Sequence, residues 1–162
     1  MKKIIFLFFT IVLVNSLYAQ SNKWSSIAYS YSKGPVSPEF QYKYTISISS
    51  NGSGILTYTK GSAAINYDFR VGKNGRKKLN SALRNSQIFT VSPADMKSDE
   101  NLFGGATQTM IITMLQPSNV DQKPTTIEVP PQVKSEYLEG ISDVYNLMEN
   151  LVPQSVWDKA TE

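Results

Sequence analysis

The chain has 162 residues, a formal net charge of +3, nine tyrosines, no cysteine and no histidine. Lacking imidazole and thiol, it has no Ser-His-Asp triad, no thiol nucleophile, and no imidazole or thiolate zinc site. Without Lys2 and Lys3 the charge falls to +1. That removes the cationic excess on which nucleic-acid binding depends, so no nucleic-acid partner is expected.

Lys2 and Lys3 open the chain, and Ile4 to Val14 follow without a charge. Leu17-Tyr18-Ala19 then places a small residue before Gln20. This is the order of a secretory signal cut near Ala19. The apolar run is shorter than the roughly 20 residues that span a bilayer. No cysteine follows the cut to carry a lipid, so no stable membrane anchor is expected. The sequence therefore predicts a signal peptide over 1–19 and a single domain over 20–162, periplasmic or secreted. That length suits one core.

Strand signals fill the first half. Ile27, Tyr29 and Tyr31 alternate with serines and Ala28, and Tyr42, Tyr44, Ile46 and Ile48 alternate with Lys43, Thr45, Ser47 and Ser49. Such a period of two marks strands with one buried face. Gly34-Pro35-Val36-Ser37-Pro38-Glu39 separates them, and two prolines so close forbid regular pairing. Asn51-Gly52 is a hairpin signal, with Leu56 and Tyr58 on the returning strand. After Gly61-Ser62, residues Ile65, Tyr67, Phe69 and Val71 alternate with Asn66, Asp68 and Arg70. Together these predict a four-stranded antiparallel meander with one apolar and one wet face.

The period then changes. Leu79, Ala82, Leu83 and Ser86 predict a helix over about 74–86, with Asn74 as N-cap. Ser92 to Gly105 reads as a long polar loop. Met110, Ile112 and Met114 alternate with Ile111, Thr113 and Leu115, a strand apolar on both faces that belongs inside the sheet or under cover on both sides. Ile127 and Val129 mark a short strand ended by Pro130-Pro131. Tyr137, Ile141, Val144, Met148 and Leu151 stripe a helix over about 133–151 that Pro153 stops, with Trp157 in a tail against the core. The order β-β-β-β-α-β-β-α predicts an α+β class, an antiparallel sheet with two helices packed on one face.

Few residues point to chemistry. Ser30-Tyr31-Ser32-Lys33 matches S-x-x-K, but a strand sends Ser30 and Lys33 to opposite sides. Asp95, Asp99 and Glu100 gather on the long loop; they could serve a carboxylate-dependent hydrolase or Ca²⁺, yet lack the D-x-D-x-D-G spacing of a calcium loop. A solvated acidic loop is the simpler reading. No catalytic residue, cofactor or metal site is expected, and the chain reads as non-enzymatic.

Two surface features remain. Six tyrosines, Tyr29 and Tyr31 among them, fall on the first four strands, serving either the core or a platform for peptide or glycan. Residues 20–90 hold ten Lys and Arg against Glu39 and Asp68, while residues 91–162 hold four Lys against eleven acids. The halves either cancel within one fold or make a two-faced molecule. Lys73, Arg76, Lys77 and Lys78 crowd the first turn of the first helix against its dipole.

The pattern Tyr42-x-Tyr44-x-Ile46-x-Ile48, Gly52-x-Gly54-x-Leu56-x-Tyr58, then Leu79, Leu83 and Phe89, resembles a recurrent kind of small exported bacterial domain. More loosely, over about residues 40–90, the layout is similar to the emfourin type of metalloprotease inhibitor. The resemblance implies binding to another envelope or extracellular protein through a loop on a rigid sheet, and transfers no functional residue. Gly34 to Glu39 and Ser92 to Gly105 are the candidate loops. A glycan- or small-ligand-binding module on the tyrosine strands is the alternative.

Overall fold

The computed structural model describes residues 24–34, 36–37, 40–100, 105–116 and 124–162. The expected signal segment, Pro35, Pro38 and Glu39 of the first candidate loop, and residues 101–104 of the second lie outside them. Strands β1 (Trp24–Ser32), β2 (Tyr42–Ser49), β3 (Ser53–Lys60), β4 (Ala63–Arg70), β5 (Thr107–Met114) and β6 (Thr126–Val129) form one antiparallel sheet in the order β4-β3-β2-β1-β5-β6. Helices α1 (Lys73–Asn85), α2 (Pro93–Met96), α3 (Ser135–Leu151) and α4 (Gln154–Thr161) complete the described elements. The class is α+β, and β1 to β4 form the expected meander.

Strand alternation becomes a layered core. The register sets Ile127, Ile112, Ile27 and Ile48 in one row, and Val129, Met110, Tyr29, Ile46, Leu56 and Tyr67 in the next. Against these rows pack Leu79 and Leu83 of α1 and Ile141, Val144, Tyr145 and Met148 of α3. Each such side chain, once buried, contributes about 1.5–3 kcal/mol. Trp24 is also fully buried, and its indole N–H donates to Asn80 Oδ1 at 2.8 Å, pinning α1 to the sheet. The opposite face carries Ser26, Ala28, Ser30, Thr45, Ser47 and Thr57 and meets no helix among the described residues.

Three expectations need correction. The N-cap of α1 is Gly72, not Asn74, and no side chain caps it. The 92–105 segment contains a helical turn: Ser92 accepts from the Asp95 N–H, Pro93 starts the turn, and Met96 is 1 % exposed. Backbone bonds from Lys134 to Met96 and from Ser98 to Gln132 then stitch it to the approach to α3. Pro153 ends α3 but caps α4, because proline's fixed φ suits a helix start. As expected, β5 lies inside the sheet, between β1 and β6; its second face leaves Ile111 43 % exposed.

Helices α1 and α3 run antiparallel, with Gly75 against Leu151 and Gly140 against Ser86. A Cβ on Gly140 would sit 3.0 Å from the Ser86 Cα. This explains a glycine in mid-helix that propensity alone disfavours.

Candidate recognition surface

One row of the sheet differs from the rest. Pairing places Gln108, Tyr31, Tyr44, Tyr58 and Ile65 side by side across five strands, with Tyr42 one step further along β2. Tyr31 stacks on Tyr44 at 5.0 Å and 12°, and on Tyr42 at 5.9 Å and 23°. Tyr42 in turn stacks on Tyr58 at 5.8 Å and 14°. The Lys33 ammonium stands 5.2 Å from the Tyr42 ring centroid, within cation–π range. Tyr31, Tyr42 and Tyr58 are half-buried, Ile65 is 54 % exposed, and the four side chains form a shelf at this end of the sheet. Ile65, expected on the apolar face, is on that face; among the described residues nothing packs over it to bury it.

The shelf has a fixed floor. Glu149 of α3 accepts from the Tyr29 hydroxyl at 2.8 Å and the Tyr44 hydroxyl at 2.5 Å. Gln108 donates to the Tyr29 oxygen at 2.8 Å. Trp157 of α4 meets the Tyr44 ring edge-on at 5.0 Å, and its indole N–H reaches the Glu149 carbonyl at 3.3 Å. Tyr145 stacks on Tyr29 at 4.7 Å. Burial raises the Tyr29 and Tyr44 hydroxyls well above the ordinary tyrosine range, and the bonds to Glu149 add to it. Burial likewise raises Tyr31 and Tyr58, and pushes Tyr145 up to about 12. These hydroxyls therefore stay protonated through neutral pH.

The two candidate loops meet beside the shelf. The first joins Tyr31 to Tyr42, and the second leads into Gln108. Gly34 lies so close to Gly105 that a Cβ at position 34 would overlap the Gly105 carbonyl. Val36 accepts from the Gln41 side chain at 2.9 Å and Ser37 from the Phe40 N–H at 2.8 Å, which folds the described part of the first loop on itself.

The remaining expected residues disperse. Tyr29 is fully buried and belongs to the floor rather than the surface. Asp95, Asp99 and Glu100 are exposed, and Asp95 is engaged in its own helical turn, receiving the Ser92 hydroxyl at 2.7 Å. Glu100 borders a cleft of about 270 Å³ lined also by Gln108, Leu138, Ser142 and Tyr145. Among the described residues no three acids are grouped to hold a metal ion. Ser30 bonds Thr45 on the bare face, away from Lys33.

Sequence reading missed Glu149 and Tyr145, and set Trp157 against the core without joining it to the tyrosines. The spacing held a signal for the first two, because Tyr145 and Glu149 are four apart and share one side of α3 with Ile141. No family model matches the chain, and no curated protein shows significant similarity to it.

Proposed function

We propose that this chain is an exported, non-enzymatic binding protein, and that it recognises a protein segment of the cell envelope or extracellular space through the tyrosine shelf. The observation supporting this reading is the stacked row itself. Tyr31, Tyr42 and Tyr44 spend ring faces on one another, so the shelf offers ring edges and neutral hydroxyls rather than open flat faces. Edges and hydroxyls suit peptide groups and mixed side chains, as tyrosine-rich paratopes do. A sugar platform works instead through an open ring face. The floor fixes the rings beforehand, so little side-chain entropy is lost on binding.

The test uses immobilised protein, wild type and a Tyr42→Ser/Tyr58→Ser double variant, challenged with envelope extract and with an oligosaccharide array. A stoichiometric protein held by the wild type and released by the variant supports the reading. Equal capture by both forms overturns it, and saccharide binding that depends on Tyr58 transfers the surface to the glycan alternative.

A further inference from the structure

The shelf ends at an open sheet edge, and the two edges of this sheet are built differently. Strand β6 spans four residues and runs into Pro130-Pro131, so it offers little to a further strand. Strand β4 pairs with β3 at eight consecutive positions without a register shift. On its other side no strand pairs with it among the described residues. Its sequence, Ala63-Ala64-Ile65-Asn66-Tyr67-Asp68-Phe69-Arg70, contains no proline and no bulge, and its two charged guards, Asp68 and Arg70, lie beyond the exposed stretch 63–66. Residues 63–66 are all exposed.

We infer that the partner segment adds to this edge as a further strand, and that it is an extended, acidic stretch with apolar residues at alternate positions; the inference rests on the shelf being the recognition surface. Strand addition satisfies the outward N–H and C=O groups of β4 and fixes the register of the guest. In that register every second guest side chain shares the face of Tyr58 and Ile65, and the one opposite Ile65 continues their row onto the shelf. The charge follows from the neighbourhood. On β2 to β4 the ionic side chains are Lys43, Lys60, Arg70 and a single acid, Asp68, with Lys33 beside Tyr42. An acidic guest complements this field, whereas a second copy adding its own β4 would bring two basic halves together.

The experiment is amide NMR and hydrogen exchange on ¹⁵N-labelled protein with four octapeptide probes: alternating Glu/Val, alternating Lys/Val, and two Glu/Val peptides N-methylated at every second residue, one in each register. With Glu/Val near tenfold its Kd, every second β4 amide should exchange about tenfold more slowly. One methylated register should fail to bind, and Lys/Val should bind at least about tenfold more weakly. Ile65→Glu, which sets a like charge against the guest at an exposed edge position, should lose Glu/Val binding while its melting curve stays unchanged. Shifts confined to Tyr31, Tyr42 and Tyr58, with both methylated registers binding equally, overturn strand addition and leave the shelf reading intact. Silence of both β4 and the shelf to every probe overturns the two together. A dimer that already protects β4 in the free protein also overturns the acidic guest.

Discussion

The Tyr44 hydroxyl donates to the Glu149 carboxylate at 2.5 Å, joining strand β2 to helix α3 across the interior. Because Tyr29 donates to the same oxygen, one carboxylate holds two strands in place beneath the tyrosine shelf. Glu149→Leu leaves both hydroxyls without their acceptor and should destabilise the fold by about 3 kcal/mol, with Glu149→Gln costing about 1 kcal/mol. Urea unfolding followed by tryptophan fluorescence measures both, and an unchanged midpoint for the leucine variant would contradict the assignment.

The same tyrosines set an alkaline limit. Folding raises their pKa, so the native state binds these protons more tightly than the unfolded chain does. The resulting stability is complete below the unfolded value of 10.0 and drains away as pH rises through the folded value, which for Tyr145 is about 12. Tyr145 alone accounts for something on the order of 3 kcal/mol across that interval. Urea midpoints should stay level with respect to these groups from pH 7 to 9 and fall steeply above about pH 10. Tyr145→Phe should flatten part of that fall.

Gly140→Ala opposes two effects. Alanine favours the helix by about 1 kcal/mol. The new methyl, however, meets the Ser86 backbone at 3.0 Å, which a rotamer change cannot relieve. Overpacking of this kind costs about 1–3 kcal/mol, so the variant should be less stable by about 1 kcal/mol. A gain in stability would mean that α1 and α3 separate freely.

Gly34→Ala should disturb the surface and spare the core. Its Cβ would overlap the Gly105 carbonyl, forcing apart the two loops that flank the shelf. Partner binding should weaken by about tenfold, near 1.4 kcal/mol. Thermal unfolding should shift by no more than about 2 °C, since loop positions contribute little to global stability. Unchanged binding would detach these loops from the recognition surface.

The strands were legible because one buried face imposes a strict period of two, and Tyr29, Ile46 and Leu56 obey it within a single row. Helix α3 was legible for the matching reason, its stripe from Tyr137 to Leu151. The short helices hid behind proline. Pro153 ends one helix and starts another, and a chain statistic reads only the break. The Ser92-Pro93-Ala94-Asp95 turn did announce itself, with a capping serine and an acid three residues later, inside a stretch whose length suggested a loop. Ile65 obeyed the alternation yet stayed exposed, because periodicity reports which face a residue occupies and not how far the helices extend over it. The shelf was half visible: tyrosines were plain, whereas their mutual stacking depends on cross-strand register, which no local pattern encodes. Glu149 was hidden by its charge, since a carboxylate on an inward helix face is unexpected until two hydroxyls are found waiting for it.

The pairing of β1 with β5 has a kinetic consequence. Ile27 finds Ile48 across a short connection, but its neighbour on the other side, Ile112, lies far down the chain. The meander of β1 to β4 can assemble early, leaving the flank of β1 temporarily bare until the C-terminal half is available. A molecule synthesised or translocated from its N-terminus would thus expose the unpaired edge of β1 during passage, and a holding chaperone or rapid threading would guard that interval.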